Sequence, residues 1–222
     1  MCPKRAVLFD LDGTILDTAE DIAAAVNQVR VAHLLPPTPF SKLREAVGHG
    51  VSALLKVGLD IDEMHPTFPV LLEECFLLYE RTSTLNTQLF KGISEVFNYL
   101  DHASMPWGIV TNKPARFTGD LLKHFNLDKR TACVICGDTL EKRKPDPLPI
   151  LHACQLLQCE PKNCLYIGDA EIDVLASKRA NVAVLVALYG YIGENDRPLT
   201  WGADGYIKHP EEIITWIAAN RP

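Results

Sequence analysis

The sequence predicts an α/β protein: a doubly wound parallel sheet with helices on both faces and a small helical cap domain over one sheet edge. Three observations carry this reading. Short apolar runs alternate with helical patterns, as βαβ units require. The first run, Ala6-Val7-Leu8-Phe9, stops at the acidic cluster Asp10-Leu11-Asp12-Gly13-Thr14, as a buried parallel strand does when it delivers carboxylates to its C-terminal end. One long segment, 17–90, keeps helical spacing throughout and offers no convincing strand.

Strands are expected at 6–10, 106–111, 132–136, 163–168, 182–187 and 204–207, all aliphatic or β-branched. Helices are expected between them, at 92–103, 114–125, 147–158, 170–180 and 210–219. Within the long segment, Ile22, Ala23, Val26 and Val29 recur at helical spacing. So do Leu43, Val47, Leu54 and Leu55, and further on Leu71, Leu72, Cys75, Phe76 and Tyr79. Pro36-Pro37-Thr38-Pro39 separates the first two helices. The chain therefore divides into a sheet-based core, 1–16 and 91–222, and a helical cap, 17–90, lying over the C-terminal edge of the sheet.

At 222 residues the chain has room for one substantial domain and a small inserted one. A net charge of −6 argues against a nucleic-acid partner. No apolar run is long enough to span a bilayer, so no membrane partner is expected. Met1-Cys2-Pro3-Lys4-Arg5 leads straight into the first strand without space for a signal peptide, which points to the cytoplasm. Cysteines such as Cys75, Cys133 and Cys164 sit in apolar runs and read as small buried hydrophobes. Cys133-Val134-Ile135-Cys136 has C-x-x-C spacing but lies in a strand-like run without a second ligand pair. His33, His65, His102, His124, His152 and His209 show no metal-ligand spacing.

Four chain segments bring polar residues to strand or loop ends. The first supplies Asp10 and Asp12. The second, Trp107-Gly108-Ile109-Val110-Thr111-Asn112, ends in a hydroxyl and an amide. The third is the loop Lys142-Arg143-Lys144-Pro145-Asp146-Pro147. The fourth, Tyr166-Ile167-Gly168-Asp169-Ala170-Glu171-Ile172-Asp173, is again a strand running into carboxylates. Parallel strands place these ends on one edge, where ligands of open α/β sheets bind. Crowded there, Asp10, Asp12, Asp169 and Asp173 would repel one another. A hard divalent cation such as magnesium relieves this, since it takes one or two carboxylates and substrate phosphate oxygens. Lys144, Thr111 and Asn112 are candidates for the remaining phosphate oxygens.

This order of motifs resembles the haloacid dehalogenase superfamily of phosphatases, and the resemblance covers essentially the whole chain. The family pattern is D-x-D-G-T, then a strand-end Ser or Thr, a Lys, and G-D-x-x-x-D. It matches Asp10-Leu11-Asp12-Gly13-Thr14, Thr111, Lys144 and Gly168-Asp169-Ala170-Glu171-Ile172-Asp173. The resemblance implies a Rossmann-like core and a small-molecule phosphate ester as substrate. It makes Asp10 the nucleophile that takes the phosphoryl group, and Asp12 the acid that protonates the leaving alcohol and then the base that activates water. Asp10, the carbonyl of Asp12 and Asp169 would hold magnesium, with Asp173 supporting them. Lys144 would neutralise charge, and Thr111 and Asn112 would donate hydrogen bonds. In the cap, Arg44-Glu45-Ala46-Val47-Gly48-His49-Gly50 falls where the family has its specificity loop, which makes Arg44 and His49 candidates for reading the leaving group.

The chain departs from the family in two small ways. The helix after the fourth motif ends Ala180-Asn181 where Ala-Gly is usual, and Asn is the next-best residue for a left-handed cap. Lys91-Gly92 stands where Pro-Gly is common. Within the superfamily the chain is most similar to the phosphoglycolate phosphatase group. Its stretches Tyr189-Gly190-Tyr191-Ile192 and Trp201-Gly202-Ala203-Asp204 also resemble the N-acetylmuramic acid 6-phosphate phosphatases of bacterial cell-wall recycling, a branch of carbohydrate metabolism. A dehalogenase would share the fold but has no need of an acid at position 12 or of a magnesium site. A phosphomutase would keep both aspartates and differ in its cap.

Overall fold

The computed structural model describes residues 5–220, so the N-terminal readings at Met1 to Lys4, Cys2 included, lie outside the described residues. Six strands form one parallel sheet: β1 (Ala6–Phe9), β4 (Trp107–Val110), β5 (Cys133–Ile135), β6 (Cys164–Gly168), β7 (Ala183–Ala187) and β8 (Gly205–Ile207), in the order β5-β4-β1-β6-β7-β8. All six lie within the spans expected from the sequence. The chain winds outward from β1 in both directions, which leaves a crevice at the C-terminal ends of the central strands.

Each central strand is buried on both faces, which is why it reads as a continuous apolar run. Val7 and Phe9 point into one apolar cluster, with Ile93, Val96 and Phe97 of α5 (Ile93–His102), Leu121 of α6 (Ala115–His124) and Ile213 of α9 (Glu212–Ala219). Ala6 and Leu8 point into the opposite cluster, with Ile150 and Ala153 of α7 (Leu148–Leu156) and Val174 and Ala176 of α8 (Glu171–Arg179). Each fully buried large aliphatic side chain contributes about 1.5–3 kcal/mol. At the end of α8, Asn181 takes φ +57°, the left-handed cap geometry expected of it.

Between β1 and α5 the chain forms four helices: α1 (Ala19–Ala32), α2 (Phe40–Val47), α3 (Val51–Leu59) and α4 (Phe68–Thr82). They bury an apolar cluster of their own, built on Val26, Val29, Leu43, Leu55 and Phe68. Two short strands interrupt the expected strand-free segment: β2 (Leu16–Asp17) pairs antiparallel with β3 (Gln88–Leu89). Two residues are too few to show a period-2 pattern, so the sequence carries no sign of this ribbon. Through it the chain leaves the sheet and returns side by side.

The return crossing is fastened by Asp21 of α1, which is 1% exposed. Its carboxylate accepts from the Asn86 and Thr87 N–H groups, the Asn86 amide and the Thr87 hydroxyl, at 2.8–3.1 Å. Asp21→Ala strands these donors and is expected to lower the unfolding free energy by about 2–4 kcal/mol, measured by urea denaturation.

The expectation for Cys133 needs correction. It is only partly buried, because β5 is an edge strand, whereas Cys75 and Cys164 are buried as expected. Cys75, Cys133, Cys136, Cys154 and Cys164 are free thiols.

Candidate active site

The C-terminal ends of β1, β4 and β6 meet beneath the helical insert around a cavity of about 710 Å³. Asp10, Asp12, Thr111, Asn112, Lys144 and Asp169 all line it. Its far wall comes from the insert and is largely apolar, including Ile22, Val26, Val47, Leu54 and Phe76.

Lys144 is the cation at the centre. Its side chain is 1% exposed, and its ammonium lies 3.0 Å from Asp10 Oδ1 and 2.7 Å from Asp173 Oδ1. It also donates to the Val110 carbonyl at 2.9 Å and to the Tyr166 hydroxyl at 2.8 Å. Burial works to discharge it, but the two carboxylates outweigh burial and hold its pKa above the ordinary lysine value. The loop that delivers it is braced by Asn112, whose amide donates to the Lys144 carbonyl at 2.9 Å.

Asp10, Asp169 and Asp173 each place a carboxylate oxygen within 4.8 Å of the others. Burial, joined by the charge of Asp173, raises the Asp10 pKa to about 6 against the pull of Lys144. Asp169 is driven well above the carboxylate range, by burial first and then by Asp10 and Asp173. Asp169 is oriented by the Thr14 hydroxyl, donating to Oδ1 at 3.0 Å, and by the Tyr191 N–H, donating to Oδ2 at 2.8 Å. Gly13 makes this approach possible: it takes φ +81°, and a Cβ there would lie 2.1 Å from Asp169 Oδ2. An all-oxygen set with one buried lysine for three carboxylates has the chemistry of a hard-cation site.

Asp12 stands apart from that trio. Lys113 Nζ lies 3.1 Å from both of its carboxylate oxygens, and the Thr18 hydroxyl donates to Oδ1 at 2.7 Å. Thr111 is buried, and its hydroxyl accepts the Lys113 N–H at 3.2 Å. His49 lines the cavity mouth and lies 3.2 Å from Asp196.

Arg44 is not part of the cavity wall, contrary to its expected place on substrate. It lies 3.4 Å from Asp17 and over the Tyr191 ring, because α2 seats it against β2. Sequence reasoning also missed Lys113 and gave Tyr191 no role. The Tyr191 hydroxyl accepts from the Thr18 and Ala19 N–H groups and donates to Asp17 Oδ1, tying the loop after β7 to the crossing into the insert. The available signal for Lys113 was its place two residues after Thr111.

The family model for haloacid dehalogenase-like hydrolases matches residues 7–187. An N-acetylmuramic acid 6-phosphate phosphatase of Pseudomonas aeruginosa is 35% identical over 210 residues, covering 95% of this chain and 93% of that protein. A phosphoglycolate phosphatase of Xanthomonas campestris pv. campestris is 39% identical over 221 residues, covering 98% and 97%. Among solved structures, a predicted phosphoglycolate phosphatase from Haemophilus somnus superposes with a TM-score of 0.86 over 97% of this chain and 99% of that one. At 23% identity, that likeness speaks for the fold.

Proposed function

The chain belongs to the haloacid dehalogenase-like hydrolases and is a phosphoric monoester hydrolase, and from that premise we propose how it works and on what. Asp10 attacks the phosphorus of a small organic phosphate and becomes an aspartyl-phosphate. Asp12 gives a proton to the departing alcohol, then takes one from the water that hydrolyses the intermediate. Lys144 offsets charge on Asp10 and the phosphoryl oxygens, with Thr111 donating a hydrogen bond. Asp10, Asp169 and the Asp12 carbonyl would hold magnesium, with Asp173 supporting them. When bound, magnesium offsets the carboxylates and polarises the phosphoryl oxygens. The segment 17–90 acts as a cap that closes over substrate and excludes water.

The observation that carries this reading is the meeting of Asp10, Asp169 and Asp173 with one buried lysine beneath a single cavity. Free thiols at Cys75, Cys133, Cys136, Cys154 and Cys164 fit a reducing compartment, and we place the enzyme in the cytoplasm. Among the described residues no helix is long and apolar enough to cross a membrane.

Two substrates follow from the relatives, and cavity size favours one. Phosphoglycolate is a two-carbon acid and would leave most of about 710 Å³ unfilled. Cavities of this size hold ligands of many more atoms. An N-acetylated sugar phosphate is nearer that size, and its acetyl methyl suits the apolar insert wall, whereas its lactyl carboxylate needs a polar or cationic partner. The test is phosphate release from N-acetylmuramic acid 6-phosphate and 2-phosphoglycolate, compared as kcat/KM. The sugar phosphate is expected to lead by about tenfold or more, a difference of ~1.4 kcal/mol in transition-state binding, and release is expected to vanish on chelation. A lead for phosphoglycolate would overturn the size argument, and release that survives chelation would overturn the role of the metal.

A further inference from the structure

The contact between Lys113 and Asp12 belongs to no motif. Lys113 is 9% exposed. Burial alone would strip its proton, yet the Asp12 carboxylate and the Tyr79 hydroxyl hold its pKa above the ordinary value. Its backbone is pinned on both sides: its N–H donates to Thr111 Oγ1, and its carbonyl accepts from Gly137 N at 3.0 Å. The side chain has one destination, the gap between the sheet edge and the insert. There it meets both Asp12 oxygens at 3.1 Å and the Tyr79 hydroxyl at 2.8 Å.

Tyr79 belongs to α4, and its position is set by packing across the junction with the sheet. Its ring meets Phe117 of α6 edge-on at 5.5 Å, and the two share a small buried cluster with Ala25 of α1. Beside it, Arg116 of α6 lies over Phe76 and pairs with Glu73, both on α4. The junction therefore fixes Tyr79, Tyr79 fixes the Lys113 ammonium, and the ammonium fixes the Asp12 carboxylate. Asp12 remains open to the cavity at 22% side-chain exposure, while the Lys113 side chain is at 6%.

We propose that Lys113 is a positioning residue that aligns Asp12 for proton transfer and, through Tyr79, makes that alignment depend on the insert being seated. The inference rests on the role given to Asp12 above. A lysine holding both carboxylate oxygens, together with a threonine on one of them, leaves the group little freedom to rotate. General acid catalysis depends on that geometry before anything else.

Leaving groups separate this role from a merely structural one. An alkyl phosphate departs as a poor leaving group that needs a proton, whereas 4-nitrophenyl phosphate departs as a stable phenolate that does not. kcat/KM reports the steps through loss of the leaving group, so it leaves out hydrolysis of the aspartyl-phosphate. Lys113→Met is expected to lower kcat/KM by roughly 100-fold for the better of the two alkyl substrates above, and by about threefold or less for 4-nitrophenyl phosphate. Tyr79→Phe keeps the ring packing and removes only the hydroxyl. It is expected to move the same ratio in the same direction, by about threefold. Equal falls for both esters in Lys113→Met would overturn the proposal. Where that variant does not fold, Tyr79→Phe decides, and an unmoved ratio overturns it. Wild-type protein inert on every ester would overturn the reading of the site itself, a result separate from either variant's ratio.

Discussion

Asp10→Asn is expected to leave the fold intact and to lower phosphate release by roughly four orders of magnitude or more, the scale lost when a covalent nucleophile is removed. An amide of the same shape keeps the Leu11 N–H contact, at 2.8 Å in the parent, but cannot form the acyl phosphate. Stability responds in the other direction from activity. Burial raises the Asp10 pKa from 3.8 to about 6. The metal-free folded protein therefore binds more protons than the unfolded chain across that window, so Asp10 makes stability fall as pH rises from about 4 to about 6. Asp10→Asn lacks this contribution. Urea titrations of both proteins across that range, without metal, are expected to show a flatter profile for the variant. Near-normal turnover by the variant would sink the nucleophile assignment.

Lys144→Met is expected to cost both stability and activity. It removes the ammonium that faces Asp10 and Asp173 and leaves two buried carboxylates without their cation. Breaking a buried pair from one side costs about 3–5 kcal/mol. The Val110 carbonyl and Tyr166 hydroxyl lose a donor as well. Activity is expected to fall by about a thousandfold, in line with removal of a preorganised charge from a developing anion. Added magnesium is expected to restore part of the unfolding free energy and little of the turnover, because it balances the carboxylates without replacing the lysine. Chemical denaturation with and without magnesium, alongside kcat/KM, measures both effects. Lys144→Arg is not a conservative control, since a planar fork cannot occupy a space built for a compact ammonium.

The sheet was legible because a strand buried on both faces has no choice but to be apolar along its length. Ala6–Phe9 and Cys164–Gly168 are such runs, and each ends where the chain must turn polar. The insert was legible for a different reason: its helices bury one stripe each, and Val26 and Val29, or Leu43 and Val47, recur at that spacing. What escaped the sequence depends on meetings between distant segments. Lys113 and Tyr79 are 34 positions apart and acquire a shared role only once α4 lies against α6. Arg44 read as a candidate for the leaving group, and its contact with Asp17, at 3.4 Å, is visible only in the fold. The β2–β3 ribbon escaped because four residues of pairing leave no pattern.

That ribbon has an evolutionary consequence. The insert joins the sheet through two strands that lie against each other, Leu16 opposite Leu89 and Asp17 opposite Gln88. Its ends are adjacent, so its size is almost free of constraint from the sheet, and the closure entropy of a longer insert grows only logarithmically with length. The bond-breaking groups stay on the strand ends, while most of the opposite wall travels with the insert. Such a chain can acquire a new substrate by exchanging or reshaping one cassette, leaving the residues that perform the chemistry where they are.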